Sequence, residues 1–352
     1  MKVAIAGASG YTGGELLRLL ALHRKVEVTY VTSREYEGKP IHYAHPHLKG
    51  FYKGLRFSRL DLNSILKADV DAIFMALPHG VGLHITPKLL DSGLIVVDLS
   101  ADYRLRDPEM YKVWYGFEHP YPDLLSKAVY GLPELHRSEL KSARLIAVPG
   151  CNATASILAS APLVKHKIVD PSLIVVDVKA GSSEAGAKPT RSSHHPAREG
   201  STRPYSARGH RHQAEVEQEL SIISGIEVKV TMISHAVSSV RGALASSHGR
   251  LVTDDIDENT VWKAYLDMYS NEKFIRLLHP SAPPATVDVK FVVGSNFVDI
   301  TFAIDYRSRR ISGFAALDNL VKGAAGQAIQ AFNISIGIDE SEGLNIPPLF
   351  PA

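Results

Sequence analysis

Val3-Ala4-Ile5-Ala6-Gly7-Ala8-Ser9-Gly10-Tyr11-Thr12-Gly13-Gly14-Glu15-Leu16 runs a short apolar stretch into a glycine-rich turn and on into a helical pattern. Leu16, Leu19 and Leu20 share one face of that helix. The glycines follow G-x-x-G-x-x-G, a variant of the dinucleotide fingerprint. Glycine lets the backbone approach a pyrophosphate closely, and a helix N-terminus adds free N–H groups and a favourable dipole. A strand before the turn and a helix after it favour this reading over a tight packing turn.

Outward from that unit, 27–32, 71–76, 94–99 and 144–148 are further short apolar runs, several of them apolar throughout as buried parallel strands are. A weaker helix pattern covers 82–90. The first half is therefore expected to be an α/β, Rossmann-type doubly wound domain over 1–150. After Cys151 the runs 173–179, 226–233, 243–252, 286–293 and 296–306 are longer and β-rich. Gly294-Ser295 separates the last two as a hairpin signal, and Val287, Val289, Phe291 and Val293 alternate. Residues 151–314 should form a catalytic and oligomerisation α+β domain with a largely antiparallel sheet. A small-residue helical pattern at 318–333 should return to the first domain, which 315–352 would complete.

The 352 residues suit two domains, with 45% apolar and 22% charged residues as in globular proteins. No window holds the roughly 20 apolar residues of a membrane span, and no signal peptide is visible, so a cytoplasmic protein is expected. The formal charge of +2 does not point to nucleic acid. It is unevenly spread, because Lys188 to Arg211 holds many cations against one acid, Glu199. A single cysteine excludes an internal disulfide framework and a multi-cysteine zinc site.

That thiol, in Pro149-Gly150-Cys151-Asn152-Ala153-Thr154, is placed between a strand and a helix-like run. A helix N-terminus there would favour thiolate. A lone cysteine is more often inert core, but Gly-Cys-Asn is poor core material. Gly209-His210-Arg211-His212-Gln213-Ala214-Glu215 offers imidazoles as acid and base for a thiol. If the segment is extended, His210 and His212 point to opposite sides. A metal held by His-x-His-x-x-Glu, or by His42, His45 and His47, is disfavoured, since no other feature supports a metal centre. Thr32-Ser33-Arg34, at the end of the second strand, lacks the acid an NAD enzyme uses there; Ser33 and Arg34 suit the 2′-phosphate of NADP(H).

Gly-Ala-Ser-Gly-Tyr-Thr-Gly-Gly-Glu-Leu at 7–16, Ala-Leu-Pro-His-Gly at 76–80, Asp-Leu-Ser-Ala-Asp-Tyr-Arg-Leu at 98–105, Tyr-Gly-Leu-Pro-Glu at 130–134, the Cys151 motif and Gly-His-Arg-His at 209–212 resemble the N-acetyl-gamma-glutamyl-phosphate reductases. Residues 318–328 share a style with aspartate-semialdehyde dehydrogenases. The resemblance spans nearly the whole chain and implies a semialdehyde dehydrogenase-like fold. It implies that Cys151 attacks an acyl phosphate and that NADPH reduces the resulting thioester to an aldehyde. His212 would be the acid/base, His210 its support and Glu215 the residue orienting an imidazole. Gly7, Ser9, Gly10, Tyr11, Thr12, Gly13, Ser33, Arg34, Pro78, Ser182, Gly186 and Asn319 would hold the cofactor, Asn319 at the carboxamide, with His79 beside Pro78 at the nicotinamide. Arg104, Ser100 and Asn152 would hold the substrate, Arg104 at its phosphate.

The basic run between these motifs resembles the branch whose substrates ride on a small acidic amino-group carrier protein. Charge complementarity would then assign Lys188, Arg191, Arg198 and Arg203 to the carrier. The substrate would be carrier-linked 2-aminoadipate 6-phosphate, glutamate 5-phosphate or both, in lysine and arginine biosynthesis, and the enzyme a homo-oligomer. A reductase of free N-acetylglutamyl phosphate, a non-catalytic NADP-binding sensor and an aspartate-semialdehyde dehydrogenase are the alternatives.

Overall fold

The structure, a computed structural model, describes residues 1–283 and 286–351. The chain divides into two compact units, Met1–Pro149 with Ala324–Ile346, and Gly150–Gly323 with the residues from Pro347 on.

The first unit holds β1 (Lys2–Ala6), β2 (Glu27–Thr32), β3 (Phe57–Ser58), β4 (Ala72–Met75), β5 (Ile95–Asp98), β6 (Ala128–Tyr130) and β7 (Leu145–Ala147). They form one sheet in the order β3-β2-β1-β4-β5-β7-β6, every pairing parallel. Ala72 to Met75 are all fully buried, as a central strand covered on both faces must be. The order reverses beside β1, so the Gly7 turn sits at the switch point, where open α/β sheets bind ligands. The edge strands β3 and β6, of two and three residues, were not anticipated; runs that short carry no periodicity. The helix Gly326–Ser335 belongs to this unit, buried from Gly326 to Ile334, with Phe332 edge-on to Phe74 at 5.2 Å.

The second unit holds β8 (Ile174–Ala180), β9 (Arg203–Pro204), β10 (Val230–Ala236), β11 (Ala243–Arg250), β12 (Ile275–Leu277), β13 (Val298–Asp305) and β14 (Arg310–Leu317), in the order β12-β13-β14-β11-β8-β10-β9. Four of the six pairings are antiparallel; β8–β10 and β12–β13 are parallel. The sheet is therefore mixed, with antiparallel pairings prevailing. Against it lies the helix Cys151–Lys165, buried from Asn152 to Val164 and rich in alanine. Pro162 removes the N–H that would bond Leu158 carbonyl, and Tyr269 Oη donates to that carbonyl instead at 2.9 Å. The helix thus keeps its proline without an orphaned acceptor.

Two expectations fail here. Residues 286–293 are not a strand: Asp288 side chain accepts the Lys290 N–H at 2.9 Å and turns Val289–Phe291 into a 3-10 turn. Such local side-chain bonding competes with a ladder. The hairpin lies instead between β13 and β14, turning at Arg309 with φ 54. Accordingly 315–317 end a strand of the second sheet, and the segment from Pro347 falls in the second unit rather than completing the first. Among the described residues no helix is long and apolar enough to cross a membrane.

Candidate active site

In the first unit the glycine turn is fixed by contacts that exclude side chains. Gly7 has φ 78, and a Cβ there would collide with Ala76 carbonyl. A Cβ on Gly13 would lie 2.6 Å from Ala8 Cα. The helix Tyr11–Leu20 opens its ladder with Gly14 N–H to Gly10 carbonyl at 2.8 Å, so the N–H groups of Tyr11, Thr12 and Gly13 precede it. A cradle of bare backbone before a helix N-terminus fits a pyrophosphate. Ser9 and Ser33 hydroxyls meet at 2.8 Å, tying the turn to the end of β2, and Arg34 beside them is exposed. His45, which sequence reading weighed only as a metal ligand, is buried and bonds Ala8 carbonyl through Nε2 at 2.7 Å. Burial lowers its pKa, so the neutral ring donates there and buttresses the turn.

Pro78 is exposed in a turn closed by Val81 N–H, and His79 Nδ1 accepts the Ala101 N–H at 2.9 Å. Ser100 is buried; its hydroxyl donates to Asp98 at 2.8 Å and accepts from Asp102 N–H at 3.1 Å. It therefore shapes the loop after β5. Burial, with Asp102 adding, pushes Asp98 up to about 7. Arg104 is buried in the same loop and donates to Leu99 carbonyl at 2.9 Å.

In the second unit Cys151 is the first residue of its helix, behind Gly150 as N-cap. His212 opens the helix His212–Ser224, and its ring lies on Gly150 so closely that any side chain there would collide with Nε2. The buried Glu215 joins the two: one carboxylate oxygen accepts the Gly150 N–H at 3.0 Å, and the other stands 4.0 Å from His212 Nε2. Cys151 Cβ in turn abuts Gly323, where a Cβ would come within 2.6 Å. Gly323 sits in the π-helical turn Val321–Ala325, a distortion often found at functional sites.

The chain is not extended across the histidine pair. Arg211 is helical (φ -55, ψ -28), which brings the rings of His210 and His212 4.4 Å apart, edge to face. Both line one cavity with Cys151, a correction to the expectation of opposite sides. Burial, with Arg211 adding, pushes His210 down to about 4, and its Nδ1 accepts His212 N–H at 3.1 Å. His210 is neutral near pH 7 and props His212.

Cys151 Sγ lies 3.5 Å from Asn152 Oδ1, and Asn152 Nδ2 donates to Tyr205 Oη at 3.1 Å and Ser234 Oγ at 3.2 Å. Tyr205 Oη donates to Glu184 at 3.0 Å. Burial raises Glu184 to about 7. Sequence reading gave Tyr205, Glu184 and Ser234 no role; nothing local marks them, although Glu184 stands within the 182–186 turn. That turn is the 3-10 stretch Ser182–Ala185 ended by Gly186 at φ 78, and Ser182 lines the cavity. Asn319 is buried, with Oδ1 accepting Gly242 N–H at 2.8 Å and Nδ2 donating to Ser183 at 2.9 Å. One amide hydrogen and the second Oδ1 lone pair are left for a cofactor.

The basic run divides. Lys188 and Arg191 are exposed. Arg203 is half-buried and bonds Ser201 Oγ at 2.7 Å and Ser192 carbonyl at 3.1 Å. Arg198 is 9% exposed and lines the cavity. Arg198 donates through Nη2 to Ala180 carbonyl at 3.1 Å, while Arg203 is tied to its own loop.

Two family descriptions match the chain: the semialdehyde dehydrogenase NAD binding domain over residues 2–143 and the semialdehyde dehydrogenase dimerisation domain over 151–319. The chain is 59% identical to a LysW-L-2-aminoadipate/LysW-L-glutamate phosphate reductase of Sulfolobus acidocaldarius and 60% identical to one of Sulfurisphaera tokodaii. Each alignment covers 100% of both chains. Among solved structures it is similar in fold to aspartate semialdehyde dehydrogenase from Candida albicans with NADP (TM-score 0.69, 16% identity, 95% of this chain and 97% of that one). The Vibrio cholerae aspartate semialdehyde dehydrogenase II complexed with ASA is also similar (TM-score 0.66, 18% identity, 95% and 97%).

Proposed function

Since the chain belongs to the semialdehyde dehydrogenase family, in its branch of LysW-L-2-aminoadipate/LysW-L-glutamate phosphate reductases, we propose that it reduces carrier-linked 2-aminoadipate 6-phosphate, glutamate 5-phosphate or both to semialdehydes with NADPH. The observation that carries the reading is Cys151 at a helix N-terminus, in one cavity with His212 and linked to it through Gly150 and Glu215. His212 takes the thiol proton as Cys151 Sγ bonds to the acyl carbon and the carbon–oxygen bond to phosphate breaks, leaving a thioester and free phosphate. Bound NADPH supplies the hydride that the thioester carbon requires. His212 gives a proton to the oxygen that carried the carbonyl, then takes it back as the carbon–sulfur bond breaks and the aldehyde departs. Glu215 holds the imidazole in register with the Cys151 helix, and the neutral His210 fixes the turn that presents it.

Gly7, Gly10 and Gly13 would hold the pyrophosphate, with Ser9 and Ser33 closing the turn and Arg34 at the 2′-phosphate. In the second unit Ser182, Gly186 and Asn319 would serve the nicotinamide end. A charge-assisted bond contributes roughly 1.5–3 kcal/mol. Arg34→Ala should therefore weaken NADPH binding by about ten- to a hundredfold and leave NADH nearly unchanged, as titration of cofactor fluorescence would read. Equal losses for both cofactors would remove Arg34 from the 2′-phosphate.

Arg104 would grip the phosphoryl group, and Asn152 would stand beside the acyl carbon. Lys188 and Arg191 remain to meet the acidic carrier, in a cytoplasmic homo-oligomer built through the dimerisation unit. The test compares the carrier-linked acyl phosphate with free N-acetylglutamyl phosphate. The linked form should show at least about tenfold higher kcat/KM, lost as salt is raised and reduced in Lys188→Glu with Arg191→Glu, because screening weakens exposed charge pairs. Equal turnover of the free substrate would reject the carrier.

A further inference from the structure

We infer that Glu184 is a positioning residue for Cys151: through Tyr205 it fixes which end of the Asn152 amide faces the thiol, and so keeps the nucleophile as S–H until its proton is taken. Glu184 then acts while the enzyme waits for substrate, a step the reductase reading leaves open.

Side chains from four segments form one chain of hydrogen bonds that ends at the thiol. Tyr205 Oη donates to Glu184 Oε2 at 3.0 Å, and Asn152 Nδ2 donates to Tyr205 Oη at 3.1 Å and to Ser234 Oγ at 3.2 Å. Cys151 Sγ donates to Asn152 Oδ1 at 3.5 Å. Asn152 and Ser234 are buried, so the amide has no bulk water to turn to. Tyr205 is held beside them by its own N–H, which bonds Ser234 carbonyl at 3.0 Å. An asparagine amide has nearly the same shape either way round, so its orientation is decided by what its neighbours give and take. Ser234 and Tyr205 are hydroxyls and can serve either end. Glu184 cannot, because a carboxylate only accepts. It takes the Tyr205 proton and leaves Tyr205 Oη only lone pairs to offer Asn152. That draws in Nδ2 and turns Oδ1 to Sγ.

The orientation matters because the thiolate, not the thiol, is the nucleophile. Cys151 opens its helix, and a helix N-terminus favours the anion. Asn152 Oδ1 works against it, since a carbonyl oxygen accepts from S–H and repels S⁻. The reversed amide would present an N–H and stabilise S⁻ instead. With Oδ1 inward the sulfur waits as a thiol, and His212 removes the proton only as the bond to the acyl carbon forms. The chain runs one way while Glu184 is ionised. Arg198 and Arg211 favour that form and burial opposes it, which sets Glu184 at about 7, so by pH 8 it is mainly the carboxylate that the direction requires.

Alkylation of Cys151 by iodoacetamide in the full-length protein, followed by mass spectrometry from about pH 7 to about pH 10.5, reads the thiolate fraction without substrate or cofactor. Wild type should react several-fold more slowly at about pH 8 than at about pH 10.5. Glu184→Leu should raise the rate at about pH 8 by roughly three- to tenfold and converge with wild type at about pH 10.5, where both thiols are ionised. Tyr205→Phe breaks the same chain and should give a similar rise, and adding Glu184→Leu to it should change the rate no further. Glu184→Gln, whose amide oxygen can accept the same proton, should recover most of the wild-type slowness. A wild-type rate already flat between about pH 8 and about pH 10.5 overturns the inference. So does the absence of a rise in Glu184→Leu with Tm unchanged, or a rise at every pH, which would mean a loosened site. A rise that persists in the Tyr205→Phe background also overturns it, because Glu184 would then act on the sulfur directly as a charge. Should Glu184→Leu fail to fold, Tyr205→Phe and the wild-type profile still decide. A failure of the reductase reading is seen separately, as no NADPH oxidation with the carrier-linked acyl phosphate.

Discussion

Turnover is expected to fall by roughly 10⁴-fold or more in Cys151→Ser, with NADPH affinity changed by no more than about twofold. Serine's hydroxyl ionises far above neutral pH, so the variant loses the nucleophile while keeping the shape. The shape matters because Cys151 Cβ is seated against Gly323 and Sγ lies 3.5 Å from Asn152 Oδ1. A serine oxygen is smaller than sulfur and can donate to the same acceptor, so the helix N-terminus should form as before. The glycine cradle lies in the other unit, built on β1, and does not depend on the thiol. Stopped-flow reduction and cofactor titration on the same preparation check both halves, and intact mass should show a thioester adduct on wild type and none on the variant. Substantial turnover by Cys151→Ser would end the thioester mechanism.

What could be read from the chain depended on how locally each feature is determined. The glycine turn was legible because its cause is local: Gly7 at φ 78 and Gly13 packed on Ala8 leave no room for other residues. β1, β2, β4, β5 and β7 were legible because burial makes their centres mainly apolar, throughout in β4 and β7. β14 was not anticipated as a strand because Ile311, Phe314, Ala315 and Ala316 suit either element, and the partner strands that decide it, β11 and β13, are distant in sequence or across the Arg309 turn. At 286–293 a period-two pattern lost to one side-chain bond from Asp288. The basic loop shows a different limit. Composition counts the cations of 188–211 but does not say that Arg198 turns inward while Lys188 and Arg191 stay out. Likewise the Cys151 and His212 motifs were visible, but Glu184, Tyr205 and Ser234 meet Asn152 only through folding, from three separate segments.

His212→Asn should lower kcat by about 10²–10⁴-fold while NADPH affinity is unchanged, the usual range for removing a general acid–base. His210→Asn should lower it less. The two rings are 4.4 Å apart and line the same cavity, so proximity alone does not separate them. Their surroundings do. Burial pushes His210 down to about 4, so near neutral pH it is the neutral ring, and its Nδ1 is committed to His212 N–H. A group whose charged form is disfavoured that strongly is a poor proton donor to a developing alkoxide at neutral pH. His212 instead stands 4.0 Å from the buried Glu215 carboxylate. Its Nε2 lies against Gly150, the residue before the nucleophile. Glu184, raised to about 7, titrates in the same window, so a pH profile alone does not identify the acid–base. The amplitude of kcat at a single pH does, measured for His212→Asn, His210→Asn and Glu184→Gln side by side with Tm as a check on folding. A larger loss in His210→Asn, with His212→Asn nearly silent, would move the proton transfer to His210 and make His212 the prop.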